Sequence, residues 1–385
     1  MANSTAAYRY RPLCPSSDEI RLLTLDPGLD DDEISCTLNH YNLTNNPKYE
    51  ALSYTWGDTT NEGRITVDGR PFVVSANLET ALRYLRYPVP SSVPGTEIPP
   101  PNNEPCGKRT IWIDAICVDQ ENSKERSQQI RKMDKIFGSA LKVLAWLGSA
   151  RDESDSAMDF VKRIANGLGL FGVDGEPLIP ENTWIALQKL WARPYWERVW
   201  IIQELAAAMA KGEMQFLPRY RAEVGCGRMW VPLDDFQLAW DRLNFYINIS
   251  GLGVDDRTDP ARHLFELLLQ HSQKGHTLSS LISLTYTAKA TDNRDHFYAV
   301  LGLAPEADRE DLYPDYAKLF PEINGRFLKR IIEKEMKLDI LAFDHSSQAP
   351  IWAPNFESIS RSARIRWRKY WGGFQASGRN KGVCC

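Results

Sequence analysis

No stretch of this sequence stays apolar for the roughly 18 residues that a membrane-crossing helix needs, so no spanning segment is expected. It also lacks CxxC, HExxH, G-x-S-x-G and G-x-x-x-x-G-K-[ST] strings. Zinc centres of the usual spacing, nucleophile-elbow hydrolases and P-loop nucleotidases therefore have no basis in it. Its six histidines are scattered, and His271 and His276 stand five apart, the wrong relation for one helix face. No charge of one sign dominates: 46 Lys and Arg against 50 Asp and Glu give a net charge of −4. With a pI near 6.0, no global field draws it to nucleic acid. The seven cysteines (14, 36, 106, 117, 226, 384, 385) are odd in number and scattered, which points to reduced thiols in a cytosolic or nuclear compartment. The opening MANSTAAYRYRPL has no apolar core and carries Ala2 where myristoylation needs glycine, so a cytoplasmic protein is expected.

What is present suits a globular α/β protein. The 385 residues, 43% hydrophobic and 25% charged, allow a large domain or two to three average ones. The centre of organisation is Arg109 to Gly148. Thr110 to Ile113 and Lys142 to Leu147 read as strands, and the second is nearly continuously apolar, as a strand covered on both faces would be. Between them, Asn122 with Glu125 resembles a capping box, and Ile130, Met133, Ile136 and Phe137 recur at helical spacing. Such a crossover leaves its strands parallel and places Asp114, Cys117, Asp119 and Gln120 at a strand's carboxyl end, where open α/β sheets bind ligands.

Along the chain, residues 1–48 read as an N-terminal segment whose runs at Arg21 to Leu25 and Ser35 to Tyr41 suggest a hairpin. Tyr49 to Tyr54 is a strand ending at Thr55-Trp56-Gly57-Asp58. Ile65 to Val74 is hairpin-like around Asp68-Gly69, and Asn77 to Tyr87 is helical. Residues 88–108 hold seven prolines and read as a surface loop. Asp152 to Leu168 is an amphipathic helix ending in GLGLFG. That string formally matches a dinucleotide fingerprint, but a helix precedes it where a strand is required, so it reads as a helix terminus. Thr183 to Trp191 is helical, and Arg193-Pro194 opens a second helix. There Trp196, Val199, Trp200, Gln203 and Glu204 share one face. Short strands at Glu213 to Phe216 and Ala222 to Val224 precede mostly helical sequence, and residues 211–356 form a mainly helical C-terminal region.

After Glu357 the tail 357–385 has no acidic residue, carries seven Lys and Arg, and ends in Cys384-Cys385. It reads as a disordered basic tail. A terminal double cysteine also resembles the prenylation signal of Rab-type small GTPases.

The chemistry-bearing residues converge on three places: Trp56 and Asp58 after one strand, Asp114, Asp119 and Gln120 after another, and Glu204 on an aromatic helix face. Paired carboxylates near aromatic rings can grip ribose hydroxyls and steady an oxocarbenium-like centre. The structural alternative has Asp114 capping a turn and Glu204 paired with Arg198, Arg193 or another arginine. Cys117 beside a strand reads as a small hydrophobe before it reads as a nucleophile.

YEALSYTWGD (49–58), IWIDAICVDQENSKERSQQIRKMDKIFGSALKVLAWLG (111–148) and RPYWERVWIIQELAAA (193–208) resemble, in order, the three motif blocks of the fungal heterokaryon-incompatibility (HET) domain. ATDNRDHFYAVLGLA (290–304) and IWAPNF (351–356) resemble segments that follow it. The resemblance implies a HET domain over 49–210 that acts as a cytoplasmic effector of cell death when unlike fungal cells fuse. Its partners would be other incompatibility or NLR-type signalling proteins, or further copies of itself. HET domains are remotely similar to TIR domains, which implies a flavodoxin/TIR-like parallel sheet flanked by helices. Some TIR domains cleave NAD with the glutamate of a W-x-x-x-E helix motif, which Trp200 to Glu204 matches. The likeness thus implies NAD as substrate, no resident cofactor and Glu204 as the catalytic residue, while the convergence of side chains described above adds Trp56, Asp58, Asp114, Gln120 and Trp200 as substrate-binding residues. A non-catalytic, self-associating signalling module is the competing expectation. Convergence of Trp56, Asp114 and Glu204 in one pocket would discriminate the two.

Overall fold

The computed structural model describes residues 7–29, 31–58, 60–86, 107–170, 179–209, 221–250, 260–265, 268, 277–285, 288–309 and 311–335. Most of the proline-rich loop, the strand candidate at 213–216, the IWAPNF segment and the basic tail lie outside them.

The β-branched and aromatic runs become one nine-stranded sheet: β1 (Glu19–Leu25), β2 (Ser35–Asn42), β3 (Glu50–Tyr54), β4 (Glu62–Val67), β5 (Arg70–Ser75), β6 (Arg109–Trp112), β7 (Lys142–Trp146), β8 (Ala222–Cys226) and β9 (Met229–Pro232). Its order is β5-β4-β2-β1-β6-β3-β7-β8-β9. The neighbours β6, β3, β7 and β8 run parallel, as the crossover rule requires. On either side, β1 and β9 pair antiparallel to this centre, so the expected parallel sheet is parallel at its core and mixed overall. The N-terminal hairpin β1–β2 and the later β8–β9 hairpin are both hydrogen-bonded into this single sheet.

Helices flank it. α1 (Ala76–Leu85) is capped by Ser75 and buries Leu78, Ala81, Leu82 and Leu85. Beyond β6 come α2 (Asp114–Cys117), α3 (Ser123–Ile130) and α4 (Met133–Ser139). The single helix expected here is therefore two. Arg131 lies over the Tyr313 ring at 4.4 Å and Lys132 Nζ donates to the Ser17 carbonyl at 2.6 Å, so tertiary partners hold the junction open. The capping signal is half realised: Asn122 accepts from the Glu125 amide, but the Glu125 carboxylate turns away to Arg21.

Then follow α5 (Ser154–Ala165), α6 (Glu181–Trp191), a 3-10 turn Pro194–Glu197, α7 (Trp200–Met209) and α8 (Leu233–Ser250). Gly167 closes α5 with φ +97°, and the Leu168 amide reaches back to the Arg163 carbonyl, the helix-terminus geometry expected for the glycine-rich string. The C-terminal region adds α9 (Leu278–Thr285), α10 (Asp295–Leu301), α11 (Glu306–Arg309) and α12 (Phe320–Glu335).

Successive strand residues face opposite sides. On the Tyr49, Ala51 and Ser53 side lie α4 and α7, with the Tyr49 hydroxyl donating to the Ile136 carbonyl at 2.6 Å. On the Tyr54 side, Trp146 meets Tyr84 of α1 at 5.1 Å and Trp230 at 6.1 Å. Among the described residues no helix is long and apolar enough to cross a membrane.

Candidate active site

Pro194 sits at the first position of its 3-10 turn, as the sequence suggests, but the turn does not run on into α7. Arg198 is extended (φ −74°, ψ 134°) and forms an isolated parallel bridge with Lys289; the Val199 amide donates to the Lys289 carbonyl. Trp196 is therefore not one turn below Trp200, which corrects the shared helical face read from spacing. It packs instead on Phe236 and Phe265, at 5.5 and 5.4 Å. Trp200 and Glu204 remain one turn apart on α7.

Glu204 is 3% exposed. Its Oε2 accepts a short hydrogen bond from the Ser53 hydroxyl, which also meets the Tyr195 hydroxyl at 2.8 Å. Burial pushes the carboxyl up to about 7. The Arg198 charge and the Ser53 hydrogen bond pull it down, and Asp114 pushes it further up. Of the two named arginine partners, Arg193 donates to the carbonyls of Ser149 and Arg151, and Arg198 Nη1 donates to the carbonyl of Tyr54. Arg198 therefore acts on Glu204 through its field.

Glu204 lines a cleft of about 1380 Å³ at the carboxyl ends of β3, β6 and β7, where an open α/β sheet leaves room for a ligand. Gly57 and Gly148 let β3 and β7 turn away there with φ of +77° and +110°, values that residues with a Cβ rarely adopt. Trp56, Asp114, Gln120 and Trp200 line the same cleft. Trp56 Nε1 donates to Asp114 Oδ2 at 2.8 Å, the Ala115 amide caps Oδ1 at 2.8 Å, and Gln120 Nε2 donates to the Asp114 carbonyl at 2.8 Å. Burial raises the Asp114 carboxyl against the pull of Arg198, the Trp56 indole and the Ala115 amide.

Asp58 is not among the cleft residues. Its carboxylate accepts from the Thr60 amide and hydroxyl at 2.9 and 2.7 Å, a turn cap. Asp119 likewise accepts from the Glu121 amide. Cys117 is buried beside the Ile113 amide, and burial pushes its thiol up to about 12, so it holds no thiolate at neutral pH. Among the described residues no cluster of three His, Cys, Asp or Glu could hold a metal.

Sequence reasoning left out the facing wall, formed by residues 289–295 and by Tyr316, Leu319 and Phe320. Asp295 accepts from the Tyr316 hydroxyl at 2.6 Å, and burial raises its carboxyl to about 6 against the pull of Tyr316 and the nearby Trp200. Arg294 pairs with Asp292 at 2.5 Å and lies over the Tyr316 ring. The available signal was the D-x-R-D turn inside ATDNRDHFY, polar residues packed immediately before an apolar helix.

Residues 49–204 match the family model described as heterokaryon incompatibility protein (HET). The chain is 26% identical, over 408 aligned positions, to heterokaryon incompatibility protein 6, OR allele, of Neurospora crassa; the alignment takes in 88% of this chain and 55% of that protein. The chain thus spans about half the length of that curated relative. No solved structure matches it.

Proposed function

We propose that this chain, whose residues 49–204 match the heterokaryon incompatibility family model, is a cytoplasmic effector of fungal non-self recognition that triggers cell death by hydrolysing the nicotinamide–ribose bond of NAD. The observation that carries the reading is Glu204, a buried carboxyl without a direct arginine partner among the described residues, held by Ser53 at the wall of the cleft.

In that reaction the C1′–N bond breaks and its electron pair leaves with nicotinamide. The ribosyl centre becomes oxocarbenium-like, water adds at C1′, and the water's proton is released. A carboxylate beside C1′ stabilises the developing cation, and electrostatic groups held in place before reaction contribute the largest share of many rate enhancements. Glu204 is half protonated near pH 7 in the free protein, but the pyridinium charge of NAD favours the ionised form on binding. Trp56 and Trp200 offer aromatic faces, and Asp114 a second carboxyl for ribose hydroxyls.

The test is NAD turnover by the purified 385-residue chain and its Glu204→Gln variant, followed as nicotinamide release. The wild type should turn over, and the variant should lose about 10²–10³-fold in kcat while its far-ultraviolet spectrum stays unchanged. No release by the wild type, or equal rates, would refute the reading.

A further inference from the structure

Water that adds at C1′ must give up a proton, and the Glu204 carboxylate, engaged in steadying the ribosyl cation, does not account for it. Among the described residues five carboxyls line the cleft: Asp114, Glu197, Glu204, Asp292 and Asp295. Three of them are engaged elsewhere. Both oxygens of Asp114 accept hydrogen bonds, from the Trp56 indole and the Ala115 amide. Glu197 pairs with Lys289 at 2.7 Å. Asp292 meets Arg294 through both oxygens; against the upward push of burial, those hydrogen bonds hold its carboxyl below the ordinary value, which makes it a weak base.

Asp295 differs from these. It opens α10, which packs on α7, the helix of Glu204, and it remains partly exposed while lining the cleft. Its Oδ1 accepts from the Tyr316 hydroxyl at 2.6 Å. Tyr316 is itself fixed: Arg294 Nη1 donates to the carbonyls of Tyr316 and Lys318 at 2.8 and 2.6 Å, and the Arg126 and Arg294 guanidiniums lie over its ring at 4.4 and 5.1 Å. Burial raises Asp295 to about 6, so at pH 7 it is mostly ionised and still basic, the condition under which a general base works best. Glu204 answers to Arg198, Ser53 and Asp114, whereas Asp295 answers to Tyr316, the nearby Trp200, Asp292 and Arg294. The two acids therefore face one cleft in separate settings, which leaves room for a substrate.

We propose that Asp295 is the general base of the hydrolysis, taking a proton from the water that attacks C1′ while Glu204 stays ionised opposite the ribosyl cation. The water O–H bond breaks as C1′–O forms, the C1′–N electron pair leaves with nicotinamide, and Asp295 then returns its proton to solvent. The inference rests on the reading of the cleft as an NAD-cleaving site. It adds to that site a residue of the C-terminal region, beyond the 49–204 match.

Chemical rescue on the full chain tests this. Asp295→Asn keeps the shape and can still accept from Tyr316, so it should melt cooperatively while nicotinamide release falls by about 10²-fold or more. Sodium azide is a nucleophile with no proton to give up. It should raise release by Asp295→Asn at least about tenfold, with a ribosyl azide as product, and leave Glu204→Gln unmoved. Tyr316→Phe supplies an independent reading if Asp295→Asn fails to fold. The Tyr316 hydrogen bond lowers the Asp295 value, so its loss should move the acid limb of the kcat/KM profile to higher pH; an unmoved limb overturns the assignment. A wild type that releases no nicotinamide takes down the NAD reading and this step with it. An active wild type whose Asp295→Asn variant stays within about threefold of its rate, or loses rate that azide does not restore, keeps the NAD reading and removes Asp295 as its base.

Discussion

Two buried glutamates, one on α3 and one on α7, face the sheet in almost equal seclusion, Glu125 at 6% exposure and Glu204 at 3%. Their partners differ completely. Glu125 receives both forks of Arg21, at 2.6 and 3.0 Å, and the Asp119 amide at 2.8 Å. Arg21 is itself tied to the carbonyls of Cys117 and Arg11 and lies over the Tyr10 ring at 4.8 Å. Glu204 receives one hydroxyl and the field of an arginine whose Nη1 is committed elsewhere. Burial alone therefore does not mark a functional carboxylate. The mark is burial without a matched cation, at a place where a ligand can supply what is missing.

That contrast can be broken at either end. The largest expected effect is at Glu125. Glu125→Gln leaves the buried Arg21 guanidinium without its countercharge, and removing one partner of a buried pair costs about 3–5 kcal/mol. Urea unfolding should show this loss, and a neutral result would place Glu125 in the same class as Glu204.

Glu204→Gln should do the opposite to stability. Its folded-state value, about 7, stands above the ordinary 4.5. Stability held by the protonated form is thus fully present below 4.5 and lost as pH rises through 7. The neutral variant escapes that loss, so between pH 4.5 and 8 it should gain roughly 3 kcal/mol relative to wild type. Paired melts at the two pH values check this; a variant destabilised by several degrees at pH 8 would show that an ion pair with Arg198 dominates.

Ser53→Ala comes next. It removes a donor that lowers the Glu204 value and should cost about 1 kcal/mol. It should also move the midpoint of any pH–rate profile upward, whereas an unchanged midpoint would disconnect Ser53 from Glu204. The smallest effect is expected at Trp56, 37% exposed. Trp56→Phe deletes the indole donor to Asp114 and should change stability by less than about 1 kcal/mol while weakening nucleotide binding in titrations. A larger stability loss with unchanged binding would make Trp56 a packing residue.

The parts of the molecule legible in sequence were the local ones. Strands at 49–54, 110–113 and 142–147 announced themselves by β-branched and aromatic runs ending in turn residues, and their parallel relation followed from the handedness of the crossover. That β3 lies between β6 and β7 could not be read, because strand order depends on contacts far apart in sequence. The same limit explains the helices. Spacing cannot see Lys289 pairing with Arg198, so it extended one helix through a turn and put Trp196 beside Glu204.

At the site, Trp56, Asp114, Gln120, Trp200 and Glu204 could be nominated because residues at strand carboxyl ends and on one helix turn are placed by local geometry. Asp58 stands two residues beyond Trp56 but turns to Thr60, a choice made by the turn and not by the strand. Asp295 and Tyr316, about a hundred residues away in sequence, complete the wall.

The most direct test of Glu204 as an unmatched buried acid is its own titration. The infrared difference spectrum between wild type and Glu204→Gln isolates the protonated-carboxyl band of this residue, and that band should disappear with a midpoint near 7. A midpoint at or below the ordinary 4.5 would mean that Glu204 is matched by a cation as fully as Glu125, and would contradict the distinction drawn between them.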